Sequence, residues 1–180
     1  MPIQSNDIQF YLSIPTTKRG WGAASVPSQS LGGYISITPL NVSVPINNLF
    51  DDVTGEQNEV GRVDYRCIFI RNSHAMLTLR DAKIWIEPFA GAAAMVLVGV
   101  DPIGVTKQDI VARQAAIVLS PLDAPGGVTF YRSVSKATAI PLGSLISGNV
   151  CAVWVQRSIH NVEPVDNDGF VFRVVGETRR

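Results

Sequence analysis

From Val63 to Arg71 the chain places Tyr65, Cys67 and Phe69 on one side of an extended backbone and Arg66, Ile68 and Ile70 on the other. Both sides are largely apolar and rich in β-branched or aromatic residues, which predicts a central strand covered on two faces. A second strand is read from Leu77, ending before Pro88. Asn72 to Met76, with Asn72 and Ser73 as turn formers, is expected to close the two into a hairpin. The second strand changes phase: Leu77 and Leu79 are odd-numbered, whereas Ala82, Ile84 and Ile86 are even. A continuous strand cannot keep both sets on one face, so a β-bulge is predicted at Arg80-Asp81.

The remaining pattern is one of short strands and turns. Residues 1–33 read as an N-terminal arm, with a candidate strand at Ile8–Ile14 and then a Thr/Ser/Gly/Pro-rich stretch from Pro15 around an isolated Trp21. Tyr34–Thr38 is a short strand, and Leu40–Val44, bracketed by Pro39 and Pro45, suits an edge strand. Ala92–Val100 reads as a buried strand ending at Asp101-Pro102. Residues 106–119 read as a loop and then a strand, with a helical stripe through Ile110, Val111, Ala115 and Val118 as the alternative. Ser120–Gly127 is a breaker-rich loop, Val128–Arg132 a strand, and Ile140–Asn149 a pair of turns. Val150–Arg157 is the second strong strand, with Cys151, Val153 and Val155 on one face and Trp154 on the other. Pro164–Gly169 is a polar loop and Phe170–Val175 a last strand. Eight or nine strands with Gly/Pro turns predict an all-β protein: an antiparallel β-sandwich or jelly roll over residues 34–180, a single domain with an extended N-terminal arm.

Composition narrows the partners. Formal net charge is zero and charged residues make up 17% of the chain, so no basic field is present to hold nucleic acid. A charge-poor surface repels copies of itself weakly, as suits a subunit that buries part of itself against neighbours. The first residues carry no basic or apolar signal-peptide pattern. The most apolar run, Phe89–Val100, falls short of the roughly 20 residues needed to span a bilayer. Cys67 and Cys151 read as two buried free thiols, or as a disulfide if their strands bring them face to face.

No catalytic constellation emerges. His74 and His160 both fall in loops, and Ser73 beside His74 is adjacency rather than a triad. No phosphate or dinucleotide loop is present, and paired acids such as Asp51-Asp52 or Asp166 with Asp168 have nothing to position them. The acidic stretch from Asp51 to Glu59 offers hard oxygen ligands, but its spacing does not match a calcium loop, and a solvated turn is expected. These readings predict no catalytic residue, no cofactor and no metal. The rival binding function is a glycan module using Trp21, Trp85, Tyr34 and Tyr131. It requires an exposed aromatic strip, whereas Trp85 and Trp154 in apolar strands read as core.

Three stretches resemble a β-sandwich domain that recurs in structural proteins of tailed bacteriophages. They are Asn48–Glu56 with Gly61 and Asp64–Asn72; Leu77–Ile86; and Leu142–Gly148 leading to Ala152–Arg157 and the final Phe170 strand. The run around Tyr65 to Asn72 is the most specific. The chain departs from the family pattern at Gln156, where a second basic residue is expected, and in its Pro-rich leader. The resemblance implies a non-enzymatic virion protein, assembled in the bacterial cytoplasm, with the major capsid protein or other virion subunits as partners. Its first implication is a capsid cement or decoration protein that bridges capsomers as a homo-oligomer, a trimer; its second is a tail, baseplate or fibre-attachment subunit. The expected contacts are the leader at Pro15 and Trp21 and the loops carrying Pro102, Pro121 and Pro125. Neither nucleic acid nor membrane is an expected partner.

Overall fold

In a computed structural model, described for residues 2–15, 22–40, 47–110, 112–163 and 168–179, the alternating run becomes the long strand β3 (Arg62–Asn72). It is the middle of a five-stranded sheet. On one side it pairs with β7 (Asn149–Ile159) along almost its whole length; on the other it pairs with β1 (Ile8–Ile14). With β2 (Tyr34–Pro39) beyond β1 and β5 (Met95–Lys107) beyond β7, the order is β2-β1-β3-β7-β5, and every neighbouring pair is antiparallel. A three-stranded sheet, ordered β6-β4-β8, comprises β6 (Ile140–Leu145), β4 (Thr78–Pro88) and β8 (Phe170–Arg179). The protein is an all-β sandwich of these two antiparallel sheets.

The core follows from the two-sided burial read in β3. Ile68 and Ile70, with Cys151, Val153 and Val155 of β7, face the small sheet and meet Leu79, Ala82, Ile84 and Leu145 there. Cys67 and Phe69, with Ala152 and Trp154, face outward and are covered by Leu31, Ala115 and Val118 from loops. The two cysteines therefore lie on opposite faces of the sheet, and both are free.

The bulge stands where the phase change put it. Register shifts between Leu79 and Ala82 against β6, and between Arg80 and Lys83 against β8. Asp81 takes φ +49°, a left-handed conformation that suits a short polar side chain. The extra residue lets Leu79 and Ala82, Ile84 and Ile86 all face the core.

The expected hairpin at 72–76 does not form. Both edges of β3 are already taken, by β1 and β7, so β4 cannot pair with it and crosses into the other sheet. Side chains build the crossing. Asn72 Nδ2 donates to the carbonyls of Leu77 and Leu145, both at 2.8 Å, and its Oδ1 accepts the His74 amide at 3.0 Å. His74 Nδ1 in turn accepts the Met76 and Leu77 amides. His74 is thus a turn-building residue.

Other elements differ from expectation for local reasons. Ile8–Ile14, inside the expected arm, is a sheet strand between β2 and β3, so these residues belong to the sandwich. Ile140–Leu145 is a strand and not a pair of turns; Gly143, at φ +91°, breaks an alternation that otherwise buries Ile140, Leu142 and Leu145. The expected strand at 128–132 makes a single bridge, Val98 to Tyr131, because Val128 and Phe130 turn onto the outer cluster. Beyond it the Ser133 carbonyl accepts the Ile86 amide at 2.8 Å, tying this segment to the small sheet. Residues 106–119 form no helix in their described part, and the strand expected there is reduced to one bridge, Ile117 to Gly32. The stretch at 51–59, expected as a turn, carries a short helix α1 (Gly55–Val60), capped by reciprocal hydrogen bonds between Thr54 and Gln57. The edge strand expected at Leu40–Val44 lies outside the described residues beyond Leu40, as does most of the polar loop at 164–169.

Candidate functional site

The outer face of the large sheet is roofed by residues 22–33 and 112–131, and a buried polar frame fixes this cover. β1 pairs with β3 no further than Leu12 opposite Ile68, so the amides of Tyr65 and Cys67 are left for loops. They donate to the carbonyls of Pro121 and Ser30, both at 2.7 Å. Ser30 Oγ accepts the Ser13 amide at 2.9 Å, and Ser13 Oγ accepts the Gly32 amide at 2.8 Å. Gly32 must be glycine: it sits at φ +91°, and a Cβ there would lie 1.8 Å from the Ala116 carbonyl oxygen. Asp101, 1% exposed, binds three donors from three segments. They are the Ile103 amide at 3.0 Å, the Ala116 amide at 2.8 Å and the Trp154 indole at 2.9 Å. Gln114 completes the frame, accepting the Ile35 amide and donating to the Lys107 carbonyl.

Above this frame the cover presents apolar side chains to solvent. Leu119 is 94% exposed, Leu122 55% and Tyr131 53%, and Ile103, Ile110 and Val134 are exposed beside them in sequence. Single exposed apolar residues are ordinary; here six fall within residues 103–134. The expected contact residues border the same cover. Pro102 is exposed and faces Gly127, Pro121 is half-buried with its carbonyl on β3, and Pro15 sits at Gly33 near Ile117. Pro125 is buried, so its role is structural. Trp21 lies outside the described residues.

A second region lies at the start of β3, where the core-facing side turns charged. Asp64, 1% exposed, accepts Arg62 Nε on both oxygens at 2.8 and 2.9 Å and an Arg157 amino group at 2.7 Å. Burial alone would raise its pKa, but the hydrogen bonds from Arg62 and Arg157 and their positive charge hold it below the ordinary carboxylate value. Arg66 is equally buried; burial lowers its pKa and Asp51, 3.2 Å away, pulls it back. The guanidinium groups of Arg157 and Arg66 lie 4.6 and 5.6 Å from the ring centre of Phe50, which closes over them. This is a structural clamp joining the Leu49–Asp51 loop to β3 and β7.

Beside the clamp a groove of about 1280 Å³ opens between β1 and β8. Phe10 and Phe172 stack in its floor with ring centres 5.5 Å apart, and Phe170 meets Phe172 edge-on. The volume exceeds the roughly 300–1,000 Å³ usual for small-molecule pockets. Its lining includes the carboxylates of Asp51, Asp52, Glu163 and Asp168. Asp51 is engaged by Arg66, and Asp168 caps the Ala93 and Ala94 amides at 3.2 and 2.8 Å.

No family model, curated protein or solved structure matches this chain.

The individual residues therefore carry the functional argument. Burial pushes the Cys67 thiol well above its ordinary pKa and the Cys151 thiol up to about 12, so neither is a nucleophile at neutral pH. Among the described residues no group of three or more His, Cys, Asp or Glu is placed to hold a metal ion. No described helix is long and apolar enough to cross a membrane. Trp154 is fully buried, as expected of a core residue, whereas Trp85, expected in the core, is half-buried, as is Tyr34, and Tyr131 is exposed. Sequence reasoning missed the Asp64 clamp and the Asp101 hub. An Arg-x-Asp-x-Arg alternation on one face of a strand was the available sign of the first; Asp101 beside Pro102 reads as an ordinary turn.

Proposed function

We propose that this chain is a non-enzymatic structural subunit of a tailed-bacteriophage virion. Its first role is as a capsid cement or decoration protein that binds capsomers and copies of itself, as trimers on the family resemblance. The observation that carries the reading is the apolar display on a rigidly framed cover. Leu119, the most exposed large apolar side chain among the described residues, stands with Leu122 and Tyr131 on loops tied down through Asp101, Ser30 and Gln114. Such a surface meets a partner with little ordering cost. The resemblance supplies the kind of partner, and its stretches fall on β3, β4, β6, β7 and β8 of the sandwich and on the loop before β3. A ligand that binds only the assembled shell stabilises it by mass action.

Deleting residues 1–33 would remove β1 from the sheet and confound binding with folding. Point changes on the cover separate the two. Leu119→Glu combined with Leu122→Glu should leave the thermal midpoint nearly unchanged, since both sites are exposed. Occupancy on purified particles, read by quantitative mass spectrometry, should fall about tenfold or more, as loss of an interface anchor implies. Unchanged occupancy with an intact fold would remove the cover as the contact surface.

A further inference from the structure

We propose that the crossing between the two sheets at residues 73–77 is a pH-sensitive latch, closed while the His74 ring is neutral and released when the ring takes up a proton. His74 Nδ1 accepts two backbone amides at once, Met76 at 3.1 Å and Leu77 at 3.0 Å. Both hydrogens point at the single lone pair of that nitrogen, so the ring's own proton sits on Nε2. An imidazolium carries a hydrogen on both nitrogens and accepts nothing. Protonation therefore turns the acceptor of two donors into a third donor facing them, and the turn must let the ring go. Histidine is the side chain that ordinarily changes charge between about pH 5 and 8.

The turn holds more than itself. Ser73, beside the ring in sequence, donates its amide and its hydroxyl to the Asp7 carbonyl at 2.7 and 2.8 Å. That contact anchors the short helical turn Ser5–Asp7 ahead of β1. Asn72, whose Oδ1 accepts the His74 amide, ties the same turn to the end of β6 through the Leu145 carbonyl. The latch thus joins three segments at one end of the sandwich. The adjoining elements carry Asp7 ahead of β1, Arg71 on β3, Arg80 and Asp81 on β4, and Glu177 and Arg179 on β8; residues 142–150 carry no charge. The Asp7 carboxylate accepts the Gln4 amide at 2.7 Å. Among the described residues no carboxylate lies within 4.0 Å of the His74 ring, so no counter-charge is in contact with an imidazolium there. The other histidine, His160, meets the exposed Asn161 side chain at 3.3 Å and serves as the control.

The test is amide hydrogen exchange of the purified full chain, followed residue by residue by NMR. Rates are expressed as protection relative to the free chain at each pH, which cancels the intrinsic pH dependence of exchange. Between about pH 7.5 and about pH 5.5 the protection of Met76 and Leu77 should fall about tenfold, as the loss of two hydrogen bonds implies. The amides of β3 and β7 should keep theirs. His74→Gln offers the two amides a carbonyl oxygen that does not titrate, so the pH response should vanish; in His160→Gln it should persist. Constant protection of Met76 and Leu77 in the parent protein would overturn the proposal, and that measurement needs no variant. A response that survives His74→Gln, or that disappears in His160→Gln, would overturn it as well. The latch belongs to the fold, so its failure leaves the virion reading standing.

Discussion

Replacing Trp154 with alanine should destabilise the protein by about 3–5 kcal/mol, as for other fully buried large aromatics. Trp154 has no exposed surface, and it fills the outer cluster between the sheet and its cover. Its indole also donates to Asp101, the carboxylate that holds the Ala116 and Ile103 amides. Truncation therefore opens a cavity and removes a donor from a buried anion. Trp154→Phe keeps most of the volume and loses the donor, so it should cost less, about 1–3 kcal/mol. Urea unfolding checks both: the midpoint should fall in that order with an unchanged slope. A Trp154→Ala midpoint close to that of the parent protein would mean that the cover does not rest on this side chain.

Asp64→Ala should be comparably damaging, at about 3–5 kcal/mol, because it leaves Arg62 and Arg157 facing a buried void without their counter-charge. The pH dependence has a fixed sign. Asp64 has a folded-state pKa below its unfolded value, so it contributes stability that is complete above about pH 4 and is lost as pH falls through the folded pKa. Asp64→Asn removes this linkage. The variant should be less stable at neutral pH, and its stability should decline less steeply below about pH 4. Parallel acid limbs for the two proteins in pH-dependent denaturation would show that Asp64 is not the group holding the clamp.

Much of the architecture was legible wherever side-chain alternation reports burial directly. β3 and β7 alternate two apolar faces and are the two central strands with both faces covered. The phase change at Arg80-Asp81 could be read because a strand has a strict period of two, so an inserted residue leaves a countable trace. What alternation does not encode is which strand edge is free. The Asn72–Met76 loop looks like a hairpin locally, and only the occupation of both β3 edges by β1 and β7 rules that out. β6 was hidden by Pro141 and Gly143, whose turn character outweighed three core residues. The candidate surface was half legible. The Gly/Pro loops carrying Pro102, Pro121 and Pro125 were read as contacts, but Pro102 proves to lie in β5 and Pro125 is buried, and the locking of the cover depends on Asp101, Ser30 and Gln114. These are polar residues whose burial no local pattern announces.

The proposed virion role is tested most directly by the copy number of this protein in purified phage particles, by quantitative mass spectrometry against the major shell protein. A ratio close to that of the shell protein is the expected result and assigns the cement role. A few copies per particle would move the subunit to the tail or a unique vertex. Absence from particles would contradict the virion reading outright.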